Sequence, residues 1–205
     1  MSHLDSIQIA HLLEPYIQAS PVPEELYVQL STYLELLLKW NARTNLTAIR
    51  EPEEIVRRHF GESLFTGLNL PVVETVLDFG SGAGFPGLPI QLLRPDLHVT
   101  LAESQNKKAS FLREVVRTLG LPTEIWAGRV EAMPTTRRFD LVMLRAVDDM
   151  ATAVYAALPR AKIYLAVLAT DRLAPPALPK FSSFEGMALP NAASQQLLIA
   201  RRVDD

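Results

Sequence analysis

The chain contains no cysteine in its 205 residues, which excludes disulfides, thiolate zinc sites and cysteine nucleophiles. Histidine is scarce too: His3, His11, His59 and His98 stand at no metal-ligating spacing, and no metal site is expected. Nor is there an excess of positive charge. The formal net charge is −3, so a polyanionic partner has to meet a local basic patch rather than a generally basic surface. Long apolar runs are absent as well. Nothing approaches the ~20 residues of a membrane-spanning helix, and Met1 to Pro15, with Asp5 and Glu14, lacks the basic start and apolar stretch of a leader. The chain reads as soluble and cytoplasmic.

What is present is enough for one sizeable core. Hydrophobic residues make up 48% of the chain, and its length suits one domain with an appended segment. Residues 1–70 read as helical. Leu4 to Ala19 is a first amphipathic segment, and Pro21-Val22-Pro23 breaks it just before Glu24-Glu25, the acidic first turn of a helix. There Leu26, Leu30, Tyr33, Leu34, Leu37, Leu38 and Trp40 recur near a 3.6-residue period. Glu51-Pro52-Glu53-Glu54 opens another helix, which carries Ile55, Val56, His59, Phe60, Ser63 and Leu64.

From residue 71 to 205 the pattern alternates. Strands are expected at Thr75–Phe79, Val99–Ala102, Glu124–Trp126, Phe139–Leu144 and Ile163–Leu168. Helices are expected at Pro86–Leu93, Lys107–Leu119 and Met150–Leu158. This order implies an α/β fold, a parallel sheet with helices on both faces. Leu173–Pro179 reads as a loop. In the tail, Phe181–Met187 and Gln195–Arg201 are expected to pair as antiparallel strands around Pro190-Asn191.

The first strand, Val76-Leu77-Asp78-Phe79, runs into Gly80-Ser81-Gly82-Ala83-Gly84-Phe85-Pro86-Gly87. Glycines at this density mark backbone with φ > 0, or backbone that a ligand approaches closely. The residues from Gly82 to Gly87 satisfy the dinucleotide pattern G-x-G-x-x-G, and Glu103 ends the second strand where a ribose-binding acid belongs. The same geometry serves S-adenosylmethionine, which has no pyrophosphate. Asp78, just before the first glycine, would repel a pyrophosphate and face the ammonium and sulfonium of a cationic ligand. Asp78 and Glu103 each end a strand at the carboxyl edge, where open α/β sheets bind ligands.

The run from Asp78 to Pro89, Asp-Phe-Gly-Ser-Gly-Ala-Gly-Phe-Pro-Gly-Leu-Pro, resembles the signature of the glucose-inhibited division protein B family. These are bacterial methyltransferases acting on guanine N7 of small-subunit ribosomal RNA. Asn45-Leu46-Thr47-Ala48-Ile49-Arg50, Arg58-His59, Glu103-Ser104 with Lys107-Lys108 and Phe111-Leu112, Arg129-Val130-Glu131, and Phe139-Asp140 leading to Arg145-Ala146 agree in order. The resemblance implies a class I, Rossmann-like methyltransferase fold. It comprises a mostly parallel seven-stranded sheet, an antiparallel C-terminal hairpin and an N-terminal helical extension. It implies S-adenosyl-L-methionine as cofactor, with S-adenosyl-L-homocysteine as product. Asp78, Gly80, Gly82, Gly84 and Phe85 then belong to the cofactor site, Glu103 reads the ribose, Val130 and Glu131 hold the adenine, and Arg145 sits at the mouth.

Guanine N7 carries a lone pair and no proton, so methyl transfer to it needs no general base, and no catalytic acid or base is assigned. The expected contributions are positioning and electrostatics. Arg129 and Arg145 suit phosphate or the guanine O6 edge. The target base has to lie in a loop or flip out, because the major groove of A-form RNA is too narrow and deep. Candidate RNA contacts are Arg43, Arg50, Arg57, Arg58, His59, Lys107, Lys108, Arg113 and Arg129. Trp40, Phe60 and Trp126 read as core residues. The chain departs from the family at Tyr164–Thr170, which lacks the usual lysine-glycine pair, and at Gln195-Gln196, where a basic pair is usual. Glu62 also replaces the usual aspartate. The alternatives are a same-fold methyltransferase on another RNA or a small molecule, a non-catalytic S-adenosylmethionine-binding ribosome-assembly module, and, less favoured, an NAD oxidoreductase. A monomer is expected.

Overall fold

Strand side chains alternate between the two faces of a sheet, and these strands are apolar on both, so both faces have to be covered. The computed structural model describes residues 4–18, 20–145, 149–170, 178–192 and 194–203. Met1, His3, Ala19, Ala146 and residues 173–177 of the expected loop lie outside them.

Helices α1 (Ser6–Ile17) and α2 (Glu24–Thr44) are followed by a continuous helical stretch in three parts: α3 (Pro52–Ile55), a π-helical segment (Val56–Gly61) and α4 (Glu62–Asn69). Strands β1 (Thr75–Phe79), β2 (His98–Glu103), β3 (Glu124–Ala127), β4 (Phe139–Arg145) and β5 (Ala161–Thr170) alternate with α5 (Gly87–Leu93), α6 (Asn106–Thr118) and α7 (Met150–Ala157). A short 3-10 turn, Val130–Ala132, follows β3, and β6 (Glu185–Ala188) and β7 (Gln195–Arg201) end the chain. The seven strands lie in the order β3-β2-β1-β4-β5-β7-β6, and β7 runs antiparallel to both of its neighbours.

Alternation sorts the core into two clusters. Val76, Val99, Leu101, Leu141, Met143, Ala166, Leu168 and Leu197 point towards α1, α2, α4, α5 and α6. Leu77, Ala102, Val142, Leu144, Leu165, Val167 and Leu198 point to the other face, with Val154 and Ala157 of α7. The N-terminal helices thus share one apolar core with the sheet.

The expected strands and helices are present with ends shifted by a few residues. Two differences have physical causes. The segment from Val56 to Gly61 widens from a 3.6-residue turn to a π-turn, which keeps Val56, Phe60 and Gly61 buried and carries the Arg58 carbonyl and His59 to the sheet edge. The first tail strand starts at Glu185, four residues after the expected Phe181. Phe181 makes only an isolated bridge to Arg202, because its ring is buried in the core on the α7 face with the Arg202 guanidinium 4.8 Å above it.

Gly61 is where α1 packs most closely on the π-segment. A Cβ there would lie 2.6–2.7 Å from the Tyr16 ring, closer than atoms pack. Gly61→Ala is expected to cost about 1–3 kcal/mol of stability through overpacking, read as a lower urea midpoint at unchanged slope.

Candidate active site

The loop after β1 is built by its own backbone bonds. Gly80 and Ser81 donate their N–H groups to the Ala102 carbonyl at 3.0 Å, and Gly84 and Phe85 donate to the Ser81 carbonyl at 2.7 and 3.1 Å. Gly84 has φ +92°, and a Cβ there would meet Leu88 Cδ1 at 2.5 Å and the Tyr33 hydroxyl at 2.6 Å. Only glycine fits. The Tyr33 hydroxyl donates to the Ala83 carbonyl, so α2 holds the loop from behind.

Against this loop lies a cavity of about 380 Å³ at the carboxyl ends of β1, β2 and β4. It is lined by Leu46, Thr47, His59, Gly80, Ser81, Gly82, Ala83, Phe85, Glu103, Ser104, Gln105, Lys108 and Arg145. A hollow of about 450 Å³ lies beneath the C-terminal hairpin, between Asn69, Tyr164, Glu185 and Arg201. That hollow has no glycine-rich loop and no strand ending in an acid, so the smaller cavity is the candidate site.

Glu103 stands at its wall. Oε2 accepts from the Gly82 N–H at 2.9 Å and Oε1 from the Gln105 N–H at 2.6 Å. A carboxylate oxygen accepts more than one hydrogen bond, so Glu103 both shapes the loop and keeps acceptor capacity for a ligand hydroxyl. His59 stacks on Phe85 with ring centroids 4.6 Å apart. Its Nδ1 faces Arg145 Nη2 at 3.4 Å, which leaves the proton on Nε2 to donate to Thr47 Oγ1 at 2.7 Å. Burial, then the Arg145 and Arg58 charges, lower its pKa to about 3. His59 is therefore neutral and has no role as a proton donor.

Arg145 forms the opposite wall. Its Nη2 donates to the Arg58 carbonyl and to Glu62 Oε2, both at 2.6 Å, and Nη1 is buried without a partner among the described residues. Burial draws its pKa down from the usual value, with Glu62 acting against that shift. The wall thus offers donors at one end and a carboxylate at the other, which suits a ligand carrying both an acceptor group and hydroxyls.

Asp78 sits beneath the loop, not among the residues that line the cavity. It is 1% exposed; Oδ2 accepts from the Gly87 N–H at 3.0 Å, and Oδ1 has no partner among the described residues. Burial raises its pKa to about 7, opposed by the Gly87 and Ser81 hydrogen bonds. Of the other expected residues, Val130 is buried in the core on the α7 face, and Glu131 and Arg129 are exposed. Gly84 and Arg58 stand behind the lining. Arg50 is exposed and ties the end of α2 through the Asn41 carbonyl and Asn45 Oδ1. Lys107, Arg43, Arg57 and Arg113 are exposed, and of Lys107, Lys108 and Arg113 it is Lys108 that reaches the cavity. Phe60 is wholly buried, whereas Trp40 and Trp126 are half-buried, donating to Glu114 and to the Arg129 carbonyl. Sequence reasoning named no role for Thr47, Tyr33 or the Glu62–Gln195 contact. Thr47 belongs to the Asn45–Arg50 stretch that carries part of the family resemblance, and Gln195 shares the parity of Leu197 along β7.

Because the folded-state pKa of Asp78 is raised, its share of stability is present below pH ~4 and is lost as pH rises through 7. Asp78→Asn should therefore gain on the wild type between pH 4 and 7, by about 4 kcal/mol at most, in urea unfolding at several pH values. Parallel curves would show an ordinary carboxylate.

Residues 26–170 match the GidB family, described as rRNA small subunit methyltransferase G. Among curated relatives, proteins named ribosomal RNA small subunit methyltransferase G are similar to this chain. The one from Nitrosomonas europaea is 45% identical over 125 residues, covering 60% of this chain and 57% of the relative. That from a Roseiflexus species is 43% identical over 147 residues, covering 69% and 63%. The chain spans about three fifths of the length of the relatives it matches. Among solved structures, a SAM dependent methyltransferase from Aquifex aeolicus superposes with a TM-score of 0.58 at 16% identity, covering 78% of this chain and 98% of that one. MtNAS in complex with MTA and tNA gives 0.57 at 11% identity, covering 100% and 92%. At these identities the likeness is one of fold.

Proposed function

The chain belongs to the GidB family, and on that premise we propose that it transfers a methyl group from S-adenosylmethionine to N7 of a guanine in small-subunit ribosomal RNA, working as a cytoplasmic monomer. The observation that carries the reading is the convergence of the glycine loop, Glu103 and Arg145 on one cavity at the carboxyl edge of the sheet. The residues present fit the cofactor. Glu103 retains acceptor capacity for ribose hydroxyls, the Arg145 guanidinium suits a carboxylate or guanine O6, and a side-chain Cβ built on Gly82 would meet nothing nearer than the Gly80 carbonyl at 3.9 Å.

S-adenosylmethionine supplies the electrophilic methyl group when bound. The chain's own work is then positioning. The Gly80–Phe85 backbone brings the ligand close and Glu103 orients it. Asp78 acts through the loop, since its bond to Gly87 sets where α5 begins. With N7 already a free lone pair, a neutral, half-buried His59 is no handicap: it packs Phe85 and is not asked to move a proton. Lys108 at the cavity, with the exposed Lys107 beside it in sequence and the exposed Arg50 at the end of α2, supplies charge for RNA phosphate. The neutral Gln195, where the family usually has a basic residue, favours as second reading a methyltransferase of the same fold acting on another RNA.

The experiment is to incubate the protein with labelled S-adenosylmethionine and small-subunit particles from a strain lacking the endogenous activity. Label is expected at a guanine N7, and Glu103→Ala is expected to weaken cofactor binding at least ~10-fold, the loss of about 1.4 kcal/mol. Cofactor binding without label in any ribosomal RNA would defeat the substrate assignment; binding of NAD alone would defeat the methyltransferase reading.

A further inference from the structure

An ionised carboxylate taken wholly out of water is costly unless it is paired and hydrogen-bonded. Glu62, in the first turn of α4, is 0% exposed and is met in this way. Arg58 Nε donates to Oε1 at 2.8 Å and Arg145 Nη2 to Oε2 at 2.6 Å. With its amide nitrogen turned inward, Gln195 donates to both oxygens at 2.8 and 2.9 Å, while its carbonyl oxygen accepts from Arg58 Nη2 at 2.7 Å. Each oxygen thus has a charged donor, and the Gln195 amide lies against both. Glu62 does not line the cavity, and Arg58 is folded back onto the cluster. Among the described residues Arg145 Nη1 has no partner, on a side chain that lines the cavity.

Register brings these residues together from four segments. Arg145 of β4 pairs with Leu168 of β5, Leu168 with Leu197 of β7, and Thr170 with Gln195. Gln195 and Leu197 alternate onto the same face, the one covered by α4. A neutral amide does here what a basic residue cannot do. It donates to Glu62 and accepts from Arg58 at once, whereas a cation would face Arg58 with like charge.

Resting on the reading of this cavity as the methyl-transfer site, we propose that Glu62 and Gln195 are positioning residues, a clamp that holds the Arg145 guanidinium at the cavity wall in one orientation. Nη2 is spent on the clamp, and the guanidinium so fixed is the face that Arg145 gives to the cavity. The C-terminal hairpin is thereby coupled to the site without touching the ligand.

The full chain carrying Gln195→Ala or Gln195→Glu tests this. The first readout needs no cofactor: modification of arginines by phenylglyoxal, mapped by mass spectrometry. In Gln195→Ala, Arg145 is expected to react at least fivefold faster than in the wild type. Arg160, which donates to the Val130 and Met133 carbonyls beside the core on the α7 face, should be unchanged. The second readout is S-adenosylmethionine affinity and methyl transfer against pH. Gln195→Glu is isosteric but donates to Glu62 only while protonated; the groups facing it are Glu62 and Arg58. Its affinity and rate should fall with rising pH along a limb the wild type lacks. Unchanged Arg145 reactivity in both variants overturns the proposal, as does a rise shared with Arg160, which marks general loosening. If the wild type neither binds S-adenosylmethionine nor methylates, the functional reading fails, and the labelling still decides the clamp.

Discussion

A polar residue that ends an apolar strand emerges on the face set by the residue two positions before it. Asp78 follows Val76, Glu103 follows Leu101, Arg145 follows Met143, and Gln195 stands two before Leu197. All four apolar partners pack on the helical layer, so four polar side chains from β1, β2, β4 and β7 meet beneath the same helices. Burial without any partner is costly, and each of the four carries at least one hydrogen bond or ion pair. The N-terminal helices are needed for this reason as much as for apolar burial: they supply Glu62, the Arg58 carbonyl and the ring of His59.

Each polar group resolves its burial differently, and the differences define what each is available to do. Glu103 satisfies two backbone N–H groups and stays at the wall. Arg145 divides its guanidinium between the clamp and a nitrogen unpaired among the described residues. Asp78 has, among the described residues, one backbone partner and one bare oxygen, and responds by holding its proton up to about pH 7. A carboxyl group that is partly protonated near neutrality is a weaker counter-ion for a cationic ligand than its place in the sequence suggests. Its structural effect, capping Gly87 at the start of α5, does not depend on ionisation to the same degree.

Much of the architecture was legible in the sequence because the determinants are local. Two-sided apolar runs marked the parallel strands, the acidic and proline openings marked α2 and α3, and the glycine run located the loop and cavity. The π-segment was not legible, since a widened turn keeps its apolar residues buried and leaves the helical periodicity intact on either side. Val130, Glu131 and Arg129 rested on resemblance rather than on parity, and none of them lines the cavity. The contact of Glu62 with Gln195 spans most of the chain and depends on the register of β5 with β7, which no local pattern encodes. Strand parity alone, applied to β7, would have directed attention to Gln195.

Backbone amide shifts on titration with S-adenosylmethionine most directly test whether the converging strand ends form the binding site. Shifts are predicted at Gly80, Gly82, Phe85, Ser104 and Gln105, with Gly186, Met187 and Ile199 of the hairpin hollow unmoved. Shifts confined to the hairpin hollow, with the glycine loop silent, would contradict the account.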